Sequence, residues 1–179
     1  MPGKNLSELE SFVLGLVWQL GPCSPYELRM SMQRSPSTQW SASAGAIYPL
    51  VARLVRRGLL KGRSERAGKR ARKEYTLTAR GRQKLTEWIG PPFSREAVTV
   101  SYDPLRSRAR FLGVLSASER GQWVASAREA LDEVERNVRR WDESAAAAVG
   151  PAAALMTSSG LRDVASRREW LTDVARLLA

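Results

Sequence analysis

The 179-residue chain contains no histidine and a single cysteine, Cys23. An internal disulfide is therefore excluded, and so are the Cys and His ligand sets that hold most structural or catalytic zinc. Without histidine, the commonest general base and the middle member of most nucleophilic triads are missing. Carboxylates remain, but none stands in a Gly-rich phosphate loop or a recognisable acidic motif, so the sequence reads as non-enzymatic and calls for no cofactor or metal. Cys23 is read as a buried or turn residue, with redox sensing as the alternative. Long apolar runs are also absent: no stretch reaches the roughly 18 residues needed to span a bilayer, and the N-terminus lacks the pattern of a secretory signal. With 43% hydrophobic residues to build a core, the expectation is a folded, soluble, cytoplasmic protein with no membrane partner.

Acidic residues are scarce in one particular place. The net charge is +11, and residues 1–90 hold 16 Lys and Arg against 6 Asp and Glu, while residues 91–179 hold 13 against 12. Between residues 53 and 84, thirteen basic side chains face only two acids, Glu65 and Glu74, so this one segment carries the whole excess. A concentration of that kind attracts a polyanion and gains affinity by releasing its counterions, whereas an even spread would favour solubility alone. A merely solvated basic surface is the competing reading.

The chain carries clear start and stop signals. Ser7 and Glu10 form a capping box ahead of Leu9, Phe12, Val13, Leu16, Val17 and Leu20 at helical spacing, and Gly21-Pro22 ends that helix. Ser24, Pro25 and Glu27 repeat the signal for a second, short helix. Residues 35–43 read as a loop anchored by Trp40, after which Ser43 is expected to cap a third helix with Ile47, Leu50, Val51 and Leu54 on one face. Pro49 within it predicts a kink or a loose first turn, and Gly58 a left-handed stop. Leu59-Leu60 and Glu74–Leu77 then read as two strands around a basic tip, Arg66–Lys73, and Thr78 caps a fourth helix through Leu85, Trp88 and Ile89. The order is that of a winged helix-turn-helix. Residues 91–102 read as a linker. A helix from Asp103-Pro104 through Leu115 follows, then a long one behind the Ser116/Glu119 capping box, and a last one over about 161–178 with Gly150-Pro151 as the break. The predicted fold class is thus mainly α with a small β-wing: a winged helix-turn-helix domain over 1–90, a linker over 91–102, and a helical dimerisation and effector-response region over 103–179.

Several of these residues together resemble the PadR family of bacterial transcriptional regulators over about residues 6–90. The resemblance rests on Phe12-Val13-Leu14-Gly15-Leu16, Pro22 before Tyr26-Glu27-Leu28, and above all Ser43-Ala44-Gly45-Ala46-Ile47-Tyr48-Pro49 leading to Arg53-Leu54 and Gly58-Leu59-Leu60. Tyr75-Thr76-Leu77-Thr78, Gly81-Arg82 and Trp88 continue it. Ser24-Pro25 departs from the His-Gly common at that point in the family; it is compatible with a helix start but puts a local phosphate or effector contact in doubt. The resemblance implies antiparallel dimerisation helices in the C-terminal half, where Asp103-Pro104-Leu105 to Arg110-Phe111-Leu112 fits the longer members.

In a winged helix the third helix enters the major groove and the wing touches backbone or the adjacent minor groove. The candidate DNA-facing residues are then Ser41, Ser43, Ala44 and Ala46, with Tyr26 and Tyr48 as phosphate donors; for Tyr48 the alternative is a core aromatic. Arg66, Lys69, Arg70, Arg72 and Lys73 at the wing suit phosphate neutralisation and narrow-groove insertion. Arg53 is a further candidate, although it and its neighbours Arg56 and Arg57 also complement the helix dipole. One such domain reads a short half-site, so a homodimer on a pseudo-palindrome is expected, joined through the stripe Leu161, Val164, Leu171, Val174 and Leu178. Among six tryptophans, Trp88 and Trp123 are candidate linings for a small aromatic or drug-like effector, with core packing as the alternative. The expected function is a sequence-specific repressor of transcription, associated with the nucleoid when bound to double-stranded DNA. The competing function is a basic protein that binds DNA or another polyanion without sequence choice.

Overall fold

The structure is a computed structural model. It describes residues 6–35, 37, 39–40, 43–67, 70–93, 95–99, 102–149 and 151–178, with side-chain detail lacking at 44, 65–67, 70–72, 96, 142, 144–149 and 151. It divides into two compact units, 1–98 and 99–179.

In the first unit, α1 (Glu8–Leu20) opens on the expected capping box: the Ser7 side chain accepts from the Glu10 amide at 3.2 Å, and the Ser7 amide donates to Glu10 Oε2 at 3.0 Å. The same device opens α2 (Pro25–Gln33), with Ser24 and Glu27 in reciprocal bonds and Pro25 in the first turn, where its missing N–H costs nothing. Trp40 anchors the following segment by stacking on Phe12 of α1 at 3.9 Å between ring centroids.

Ser43 does not cap the next helix. Residues Ser43–Ala46 form a 3-10 turn, the Ser43 hydroxyl bonds back to the Gln39 carbonyl at 2.8 Å, and α3 (Ile47–Arg56) starts at an uncapped Ala46. Pro49 explains the offset. By starting at Ile47, the helix places Pro49 in its first turn, where backbone N–H groups have no partner within the helix. The far end closes with a Schellman motif: Gly58 at φ +70°, its N–H on the Val55 carbonyl and the Leu59 N–H on the Leu54 carbonyl, each at 2.9 Å.

The hairpin is longer than the sequence reading gave it. Strands β1 (Leu60–Ala67) and β2 (Arg70–Leu77) pair antiparallel from Leu60↔Leu77 out to Ala67↔Arg70, so most of the expected basic tip lies within the ladder. A two-stranded ribbon exposes both faces, and its outer half therefore carries no apolar alternation by which it could be recognised. Its base is tied to the α1–α2 turn, where Cys23 and Tyr75 exchange both backbone hydrogen bonds, at 3.2 and 2.8 Å. Thr78 then caps α4 (Ala79–Ile89) through the Gly81 amide at 3.0 Å. The core beneath consists of Val13, Leu14, Leu16, Val17, Cys23, Leu28, Met32, Ile47, Leu50, Val51, Leu54, Leu59, Leu60 and Leu85, with further side chains at its margin. A short helix, α5 (Arg95–Val98), lies inside the stretch read as a linker.

In the second unit, Asp103 caps α6 (Pro104–Ala109), which ends well before the expected Leu115: Phe111 leaves helical geometry and Leu112–Val114 form a 3-10 turn that buries Leu112. Behind the Ser116/Glu119 capping box runs α7 (Ala117–Val149), and α8 (Pro151–Leu178) returns antiparallel to it. At 33 and 28 residues these helices are about 50 and 42 Å long. Helix α8 begins some ten residues earlier than expected, because Pro151 occupies its first position and the Ala-rich run behind it propagates a helix well. Ala127 and Leu131 pack against Val164 and Leu171, with Trp123, Trp170 and Leu105 at the margin. Arg168 bridges Asp132 at 2.6 Å and Glu135 at 2.8 Å, and Arg167 reaches the buried Asp103 at 3.3 Å.

Candidate nucleic-acid interface

Helix α3 is strongly two-faced. Ile47, Leu50, Val51 and Leu54 are fully buried, and this fixes the direction of the opposite face, on which Tyr48, Pro49, Ala52, Arg53 and Arg56 are exposed. Tyr48 is 53% exposed, which settles its surroundings in favour of the surface over the core. Ala46 is exposed ahead of the helix and Ser43 is half-buried; Ser41 lies outside the described residues, as does the side chain of Ala44. The sequence reading passed over Pro49 and Ala52 as parts of this face. The signal was available, since Ala52 follows Tyr48 by four residues and must share its side of the helix.

Arg53 is engaged within the molecule. Its Nε donates to Glu10 Oε1 at 3.3 Å, and Arg57 Nη1 donates to Glu10 Oε2 at 3.2 Å. Glu10 is only 7% exposed. Burial pushes its carboxyl upward, but the Ser7 amide and the two guanidiniums outweigh that, and the group is held below the ordinary carboxylate range. The Arg53 guanidinium is thus oriented by an acid on another helix while its side chain stays 47% exposed.

On the wing, Lys73 is exposed with its ammonium 5.7 Å from the centroid of the Tyr75 ring. Gly62, opposite Tyr75 in the register, leaves room for that ring: a Cβ there would come within 3.1 Å of Tyr75 Cε1 and 2.8 Å of Lys73 Cε. The backbone of Arg66, Arg70 and Arg72 belongs to the ladder; their side chains and the whole of Lys69 lie outside the described residues. On α2, Tyr26 is 54% exposed.

The candidate effector residues lie in different units. Trp88, 38% exposed on α4, donates its indole N–H to Glu8 Oε2 at 2.9 Å, and Trp123 packs at the margin of the second unit's core. Of the expected dimerisation stripe, Val164 and Leu171 are buried against α7 of the same chain, while Leu161, Val174 and Leu178 are half-buried. The stripe therefore serves first as the seam of the α7–α8 pair. The large apolar residues that α8 exposes are Leu155, Met156 and Leu177, and a shallow, open groove of about 420 Å³ runs along it past Ala154, Thr157, Ser158, Leu161, Arg162 and Ala165. Among the described residues no cluster of acidic and Cys side chains is placed to hold a metal, and no helix is long and apolar enough to cross a membrane.

A buried-core helix-turn-helix followed by a two-stranded ribbon defines the first unit as a winged helix-turn-helix domain. Residues 13–87 match the model of the transcriptional regulator PadR-like family. It is 33% identical over 82 residues to the negative transcriptional regulator PadR of Bacillus subtilis, a match covering 45% of this chain and 44% of that one, so it spans under half the length of this curated relative. Among solved structures, Bacillus subtilis PadR in complex with operator DNA superposes with a TM-score of 0.78 at 23% identity, covering 98% of this chain and all of the other. The same protein in complex with p-coumaric acid gives 0.74 at 21% identity, covering 95% and 98%. At these identities the likeness is one of fold, and it extends through both units.

Proposed function

We propose that this protein binds operator DNA as a homodimer and represses transcription, with α3 in the major groove and the β1–β2 wing along the phosphate backbone. The observation that carries the proposal is the coincidence of charge and fold: the segment 53–84, which holds the whole net excess of +11, is the segment that forms the end of α3, the wing and the start of α4. The N-terminal part of the outward face of α3 offers small residues and Tyr48, with Arg53 and Arg56 only at its far end, so sequence choice rests substantially on groove shape and deformability. The Bacillus subtilis relative bound to operator DNA lends the reading support, as does the word "negative" in the name of the curated relative.

The test is competition. Fragments selected from the source genome should stay bound in excess random duplex; displacement at stoichiometric competitor would support the alternative of a basic protein without sequence choice.

Dimerisation follows from the shortness of one half-site. The second copy is proposed to cover the exposed apolar residues and groove of α8, and a monomer by sedimentation at micromolar concentration would defeat this. A small aromatic effector is proposed on the precedent of the p-coumaric acid complex. Trp88 and Trp123 are its candidate reporters, and tryptophan fluorescence that stays flat across a panel of aromatic acids would count against it.

A further inference from the structure

We propose that Arg29 and Tyr26, side by side on α2, form a DNA-phosphate clamp separate from the wing and from α3. The inference rests on the DNA-binding reading above and adds to it a residue that the charge pattern did not single out, since Arg29 lies well outside the basic segment.

Three observations carry it. Leu28 and Met32 are buried and Tyr26 and Gln33 exposed, and Arg29, three residues after Tyr26 and four before Gln33, is half-buried on the flank between the two faces. Tyr26 is 54% exposed, and the Arg29 guanidinium carbon stands 5.6 Å from its ring centroid, so the ring supports the planar cation and limits its rotation. Arg29 forms no ion pair among the described residues, and its Nε is shielded from solvent without any hydrogen-bond partner. The neighbouring acid of α2, Glu27, is occupied in the capping box with Ser24.

Two arginines at the end of α3 provide a contrast. Arg53 and Arg57 are both bound to Glu10. Arg29 is braced by an aromatic ring and has no counter-charge among the described residues. A guanidinium held in this way, next to an exposed phenol, presents a planar fork and a hydroxyl to an anion of phosphate geometry. The first helix of a helix-turn-helix pair crosses the DNA backbone, which supplies such an anion. Gln33, one turn further along, extends the donor stripe in the direction of the helix axis.

The test uses the full chain and a duplex of random sequence, with binding measured by fluorescence anisotropy between about 50 and 200 mM salt. Arg29→Gln should lower affinity about tenfold at the low-salt end, as expected for loss of a charge-assisted bond. It should also reduce the slope of log affinity against log salt by about 0.9, the contribution of one phosphate. Arg29→Lys, which keeps the charge, should retain the wild-type slope. Tyr26→Phe, which keeps the ring and removes the hydroxyl, should weaken binding severalfold at unchanged slope. A wild-type slope in folded Arg29→Gln overturns the clamp. If Arg29→Gln has no cooperative melting transition, unchanged affinity in Tyr26→Phe overturns it instead. A wild-type chain without salt-dependent binding defeats the DNA-binding reading and the clamp together, whereas intact wild-type binding with a wild-type slope in Arg29→Gln defeats the clamp alone.

Discussion

The carboxylate of Glu10 accepts a hydrogen bond from Arg53 Nε at 3.3 Å, and so joins the first turn of α1 to the last turn of α3. The same carboxylate caps its own helix through the Ser7 amide and holds Arg57. One buried acid therefore fixes both the start of α1 and the orientation of the helix proposed to read DNA.

Glu10→Gln should lower unfolding free energy by about 1–2 kcal/mol, a figure discounted for the exposure of both arginines. Because the folded-state pKa of Glu10 lies below its unfolded value, its contribution is complete above the unfolded pKa and is lost as pH falls through the folded one. Wild type should therefore lose stability relative to Glu10→Gln on acidification, so that the two denaturation midpoints converge at low pH. A gap that stays constant across the carboxylate range would show that Glu10 stabilises by packing rather than by charge.

Gly81 stands in the first turn of α4, where a Cβ would run into the Leu59 carbonyl oxygen. That carbonyl already accepts from the Thr78 amide at 3.1 Å, so the backbone ahead of β1 cannot simply retreat. Gly81→Ala should cost about 1–3 kcal/mol through overpacking, against the small gain alanine brings to an open helix position. A melting temperature equal to or above wild type would mean that α4 can lift from β1 freely.

Burial pushes the Cys23 thiol up to about 11, with Glu27 and Glu74 adding to the effect. At neutral pH the thiolate, which is the reactive form, is nearly absent. Labelling by an aromatic disulfide reagent should be slow in the native protein and fast in denaturant; rapid native labelling would reopen the redox-sensing alternative.

What the sequence disclosed was local. The capping boxes at Ser7, Ser24 and Ser116 and the stop at Gly58 involve residues a few positions apart, and each stands where expected. The 43-residue separation between Glu10 and Arg53 has no such signature, and Glu10 was already accounted for by its cap. The outer wing escaped because an exposed ribbon needs no apolar alternation. The stripe on α8 was visible, but periodicity reports only that a face is buried; whether a neighbouring helix of the same chain or a second copy covers it is a question of tertiary structure. Arg29 was unremarkable in a sequence with 29 basic residues, and its position against the Tyr26 ring, with a shielded Nε that has no hydrogen-bond partner among the described residues, is what distinguishes it.

Two leucines on α8 separate folding from assembly. Leu171 is fully buried against α7, so Leu171→Ala should destabilise the second unit by about 2–5 kcal/mol. Leu177 is 86% exposed, so Leu177→Asp should leave the helical circular dichroism intact while shifting the proposed dimer toward monomer in sedimentation. Loss of helicity in Leu177→Asp, or an unshifted dimer, would place the interface elsewhere.

The wing supplies the largest predicted effect on binding. Lys73 is exposed, and the ladder carries Arg70 and Arg72 beside it. Lys73, whose side chain is described, is exposed outside the buried cluster, and replacing Lys69, Arg70, Arg72 and Lys73 by alanine is expected to leave the core and the paired backbone intact. Melting should be close to wild type. If all four side chains neutralise phosphates, the slope of log affinity against log salt should fall by about 3.6 per protomer, at about 0.9 for each contact. Because phosphate contacts carry no base information, affinity should drop alike on selected and random duplexes, and the ratio between them should survive. A collapse of that ratio at nearly unchanged salt slope would instead mean that the wing reads groove shape or base edges, and the division of labour between wing and α3 would have to be reversed.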